Sequence, residues 1–226
     1  VNVRKGQKGV QEELVKKRRE ATQRNDRIVK LIDEEIERGR KLAEAEAKRE
    51  AEEARKKAAA SGEKVPVTPK ATPMASFTMS KADRELSGSF VSNRGKLPIP
   101  VTGPYTIVSR YGQYAVEGVH NIKLANKGSD IQGKPGAEAC AIFNGEVSAV
   151  FQFQGNGLYN ILIRHGNYIS VCCNLAKPSV KKGDKVKTGD SIGKIFSDKR
   201  DNDRTVLHFQ LRKEKEQMNP EPWLNR

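Results

Sequence analysis

Between Gln11 and Ala60 the chain contains no proline and is dense in Glu, Lys, Arg and Ala. Such a run favours helix by intrinsic propensity. Fifty residues of helix make a rod about 75 Å long at 1.5 Å per residue. Val10, Leu14, Ala21, Ile28, Leu31 and Ile32 recur at roughly heptad intervals, the pattern of a coiled-coil seam. Lys17 and Arg24 interrupt it, and past Leu42 the pattern gives way to EAEAKREAEEARKKAAA, which has almost no apolar face. Residues 1–60 therefore read as a helical, coiled-coil-like arm: either the end of a longer coiled coil or a single solvated helix.

The next stretch, SGEKVPVTPKATPMAS, carries three prolines and a glycine and reads as an extended linker. Ser80 is placed to N-cap a short helix from Lys81. From Tyr105 the periodicity changes to short strands punctuated by Asn144-Gly145, Gly155-Asn156-Gly157, His165-Gly166-Asn167 and Thr188-Gly189-Asp190. The chain thus divides into an arm (1–60), a linker with a possible short restraining helix (61–89) and a mainly β, antiparallel domain (90–226). The only tryptophan, Trp223, is expected to cover one end of the core.

Composition narrows the partners. The net charge of +14 favours an anionic or acidic partner. No aromatic platform alternates with the basic residues, so nucleic acid is not expected. No segment approaches the roughly 20 apolar residues needed to cross a bilayer. Cys140, Cys172 and Cys173 form no zinc-ribbon or disulfide pattern and read as buried small hydrophobes. The chain opens at Val1 with no basic leader or apolar h-region, so no signal peptide is visible.

The chemistry centres on Asn126-Lys127-Gly128-Ser129-Asp130-Ile131, a tight turn that looks like a metal-binding loop lacking its first ligand. Asn126 is an amide where a hydrolytic zinc site wants an imidazole, and amides are poor zinc ligands. With GKLPIPVTGP, FNGEVSAV, ILIRHGNY, VKKGDKVKTGDSIG, LHFQLR and NPEPWL in order, this turn resembles the lysostaphin/LytM-type zinc endopeptidase domain over about residues 90–226. That family's active members cut peptidoglycan cross-bridges. They hold zinc by the His and Asp of an H-x-G-x-D turn and the second His of H-x-H, helped by the first His of H-x-H and a His in Y-x-H-L.

Carried over residue by residue, the resemblance puts Asn126 and Asp130 at the turn, Asn174 at the Y-x-H-L histidine, and Val206 and His208 at H-x-H. Only Asp130 and His208 keep the family's residue types, a pair that could still hold an adventitious ion. A catalytic zinc needs three protein ligands and an activated water. Val206 can neither take nor give a proton. No catalytic residue, metal or other cofactor is therefore expected. His120, six residues before Asn126, could complete the site only by folding back, and His165 matches a non-ligand position of the family.

A degenerate domain of this type behind a helical arm resembles the murein hydrolase activators. The resemblance implies an exported protein of the bacterial periplasm or cell envelope that acts in wall splitting at division. Its groove around Asn126, Asp130, Asn174, Val206 and His208 would bind and switch on an N-acetylmuramoyl-L-alanine amidase. The arm would face a membrane transporter-like complex, and Ser80–Phe90 could be an internal occupant of the groove. Two competing functions are an active zinc endopeptidase with unusual ligands and a peptidoglycan-binding module with a basic surface.

Overall fold

The computed structural model describes residues 2–61, 79–115 and 123–225, and among these the side chains of 15–57, 79–113 and 125–225. Nearly all of the linker, the side chains of Val10 and Leu14, and His120 lie outside the described residues. The first element, α1 (Asn2–Ser61), is one unbroken helix, and α2 (Lys81–Ser92) follows. Ser80 caps α2, its hydroxyl accepting from the Asp83 amide at 3.1 Å. This satisfies one of the orphan donors that every helix start exposes.

The strands run β1 (Tyr105–Ser109), β2 (Gly112–Ala115), β3 (Lys123–Asn126), β4 (Ser129–Gly133), β5 (Glu138–Cys140), β6 (Gly145–Gln152) and β7 (Tyr159–His165). They continue as β8 (Tyr168–Pro178), β9 (Lys185–Val186), β10 (Ser191–Ile195), β11 (Ser197–Asp198), β12 (Arg204–Lys213) and β13 (Glu216–Met218). The main sheet has the order β1-β4-β12-β8-β7-β6-β9, with antiparallel pairing throughout, and β2 and β3 form a separate hairpin. The Gly166-Asn167 turn joins β7 to β8 as expected. Asn144-Gly145 has the sequence of a tight hairpin turn but closes none here, because β5 pairs with β10 rather than β6. The Asn144 side chain instead accepts from the Thr188 amide at 3.0 Å, tying two loops together.

Successive side chains on a strand point to opposite faces. On β12, Leu207, Phe209 and Leu211 are fully buried in the main core. That core is closed by Phe90 of α2, which stacks on Tyr168 and His165 and meets Trp223. Trp223 covers the core end as the sequence suggested. His208, Gln210 and Arg212 alternate onto the other face, beside Cys173, Val171 and Ile169 of β8 in register.

That second face is covered by α1. Ile28 and Ile32, one helical turn apart, are fully buried against Ala149, Leu162, Ile169, Val171 and Cys173, with Leu31, Ile36 and Phe151 at the margin. Of the residues read as a coiled-coil seam, Ile28, Leu31 and Ile32 are thus spent on the sheet. The contact made by Ile28, Leu31, Ile32 and Ile36 spans about two turns and matches this small aliphatic floor. Beyond Ala43 the side chains of α1 are exposed as far as Lys57, as a helix without an apolar face must be. Among the described residues no helix is long and apolar enough to cross a membrane.

Candidate functional site

The Asn126 turn leads from β3 into β4 and presses on β12. A Cβ at Gly128 would collide with the backbone carbonyl of Phe209, so only glycine fits this approach. The Asn126 amide is oriented by its own bonds. Its Oδ1 accepts from the Gly128 amide at 3.1 Å, which turns Nδ2 toward Ser109 Oγ at 3.0 Å and Asp130 Oδ2 at 3.2 Å.

The opposite wall is equally determined. Gln210 Oε1 accepts from Arg212, so its Nε2 faces His208 Nε2 at 3.0 Å. The imidazole must accept there, which leaves its proton on Nδ1 for Asp130 Oδ1 at 2.6 Å. The two residual ligands thus bind each other, and the third corner presents an NH₂ donor rather than a lone pair. The zinc implied by the family does not fit this donor set. Among the described residues no three His, Cys, Asp or Glu side chains are grouped as metal ligands.

Asn174 sits at φ 71°, a left-handed conformation that Asn tolerates better than most residues. Its Oδ1 accepts from Arg24 Nη1 of α1 at 3.1 Å. Val206 opens onto a neighbouring cleft with Val108, Gly112 and Arg204. The structure therefore gathers Asn126, Asp130, Asn174 and His208 round one cavity of about 530 Å³, with Val206 at its flank.

The roof of that cavity is α1, through Lys17, Arg18, Ala21, Thr22, Arg24 and Asn25. Asn25 Oδ1 accepts from Arg212 Nη2 at 2.8 Å and Gln217 Nε2 at 3.2 Å. Arg212 is 1% exposed with no carboxylate paired to it among the described residues, and burial lowers its pKa from the ordinary value. Cys173, opposite His208 in register, lies beneath the helix; burial pushes its thiol up to about 11, partly offset by Arg24. The thiol is inert while covered.

Farther along α1 lies an ion cluster. Glu35, 5% exposed, meets Arg164 Nε at 2.9 Å and Arg38 at 2.7 and 3.0 Å. Arg38 also reaches Glu146 at 3.0 Å, and Arg164 pairs with Asp83 of α2.

The segment over the groove is therefore α1, and the expected occupant, Ser80–Phe90, lies elsewhere. Phe90 is drawn into the aromatic core, and the Ser87 hydroxyl accepts the Asn167 amide at 2.9 Å at the β7–β8 turn. His165 is structural. It is fully buried, bonded through Nδ1 to the Asn144 carbonyl at 2.8 Å and through Nε2 to Ser170 Oγ at 2.9 Å. Burial lowers its pKa to about 4. Sequence reasoning missed Arg24, Asn25, Arg164, Gln210 and Arg212. The alternation His208-Gln210-Arg212 on one strand could have revealed the last two, and Arg24 stood out only as an interruption of the apolar seam, whereas nothing local marked Asn25.

This fold and site define a lysostaphin/LytM-type domain. Residues 124–220, behind the long helix, match the model of peptidase family M23. It is similar to the murein hydrolase activator EnvC of Escherichia coli, 31% identical over 192 residues, which cover 84% of this chain and 43% of that protein. It is also similar to the lipoprotein NlpD/LppB homolog of Pseudomonas aeruginosa, 32% identical over 45% of this chain and 34% of that one. The chain spans less than half the length of either relative. Among solved structures, Csd3 of Helicobacter pylori superposes with a TM-score of 0.48 at 23% identity, over 57% of this chain and 35% of that one.

Proposed function

We propose that this chain is a non-catalytic murein hydrolase activator of the bacterial cell envelope. It would bind a wall-splitting N-acetylmuramoyl-L-alanine amidase on the groove face and would itself need no metal. The observation that carries this reading is the seating of α1. An amphipathic helix lies along the same face that holds Asn126, Asp130, Asn174 and His208. A face that accepts one helix in this way suits helix-in-groove recognition of another, and similarity to the murein hydrolase activator EnvC points to hydrolase activation as its use. In this reading α1 holds the activator closed, and release of α1 precedes partner binding. Peptidase chemistry is disfavoured because Asn126 donates to Asp130 where a third ligand would stand, and because Val206 offers no proton acceptor.

The test is wall hydrolysis by a purified amidase from the same organism. Added amidase activity should rise with the chain present, and rise further with Ile28→Asn/Ile32→Asn. The chain alone should leave peptidoglycan intact. Chelator-sensitive digestion by the chain alone would instead establish a peptidase.

A further inference from the structure

Beyond the apolar floor, the groove face carries a charged end whose selectivity can be read from its present occupant. Three carboxylates (Glu35, Asp83, Glu146) surround two guanidiniums (Arg38, Arg164); Glu35, Asp83 and Arg164 are largely shielded from water, whereas Glu146 and Arg38 are partly exposed. Glu35 and Arg38 arrive on α1, whereas Arg164 and Glu146 belong to the sheet and Asp83 to α2. When α1 leaves, the site keeps two carboxylates and one guanidinium, and water can reach them. A second helix laid on the same floor would strip that water away again. Buried charge left uncompensated is strongly destabilising. A carboxylate near Arg164 without a cation beyond it would place three acids round one base, and a cation facing Arg164 would repel it.

We infer that Arg164 and Glu146 read charge order on an incoming helix. They select one with aliphatic residues at i and i+4, a carboxylate at i+7 and a cation at i+10. α1 meets this rule through Ile28, Ile32, Glu35 and Arg38, positions that fall near one face of a helix. The inference rests on the activator reading, because it describes the helix the partner must offer.

The experiment uses the full chain carrying Ile28→Asn/Ile32→Asn, which frees the face. Two adjacent thiols report its state: Cys173 faces α1, whereas Cys172 faces the main core. Thiol labelling resolved by peptide mass spectrometry should reach Cys173 and spare Cys172. If Cys172 is labelled too, Ile32→Ala alone replaces the double variant. The probes are two fluorescent peptides of residues 21–43, one native and one with Glu35→Arg and Arg38→Glu, identical in net charge. The native order should bind at least ~10-fold tighter, since like charges face each other in the swapped one. Arg164→Gln should reduce that difference. Equal binding, tighter binding of the swapped peptide, or no binding to a protein labelled only at Cys173 overturns the inference. Amidase stimulation by the same variant is scored separately. Its absence would sink the activator reading while the peptide comparison still decides charge order.

Discussion

Asn126 shows how an amide can take over the place of a metal ligand without disturbing the turn. Its NH₂ donates to Asp130 much as a cation would attract that carboxylate, so the loop keeps its shape with no ion required. Asn126→His would restore a third ligand beside Asp130 and His208. Zinc affinity measured by calorimetry should rise by ~100-fold or more. Peptidoglycan should still not be cut, because Val206 cannot move a proton. His165 supplies a pH-dependent term. Its folded pKa near 4 lies below the ordinary 6.5, so the unfolded chain takes up the proton first. The neutral, buried ring contributes fully above pH 6.5, and this contribution fades as pH falls toward 4. The loss is about 3 kcal/mol at 1.36 kcal/mol per unit. Urea titrations across that window should show it, while NMR of the His165 ring should show no protonation above pH 5.

At the scale of elements, α1 is held by a short aliphatic contact and a few charged or polar ones. Ile32→Ala removes buried methyls from that contact and should weaken docking by about 2–4 kcal/mol. Labelling of Cys173 should accelerate while Cys172 stays protected, because the main core is untouched. The same substitution should leave the thermal midpoint of the sheet nearly unchanged. Gly128→Ala acts differently, since its Cβ meets the Phe209 carbonyl on a central strand. It should lower the midpoint of the whole domain. Much of this arrangement was legible in the sequence: the proline-free helix, the Ser80 cap, the strands from Tyr159 to Cys173 and the alternation along β12 all follow from propensity and period. The docking of α1 was not. Ile28 and Ile32 look alike whether they face a partner helix or a sheet, and the floor they fill comes from Ala149, Leu162 and Val171, more than a hundred residues away. Phe90 likewise gave no sign that α2 would close the core rather than the groove.

Across the whole molecule these contacts imply a graded stability, because a helix docked by two isoleucines and an ion cluster should open before an interlocked sheet does. Hydrogen exchange should resolve three tiers in α1 and the domain. Residues 44–57, with every side chain exposed, should exchange fastest. Residues 24–43 should exchange as one unit, since Arg24, Ile28, Ile32, Glu35 and Arg38 all leave the sheet together. The central amides of β7, β8 and β12, each paired on both sides, should be limited only by global unfolding. Salt separates the middle tier from the last. Raising ionic strength to 1 M shortens the screening length to about 3 Å, which weakens the exposed Lys215–Asp33 pair at 2.8 Å and the half-exposed Arg38 contacts more than the buried aliphatic floor. The middle tier should therefore exchange faster in salt while the sheet amides hold. Equal opening energies for residues 24–43 and for β12 would mean that the helix does not detach short of unfolding, and an activator that must shed α1 could not work that way.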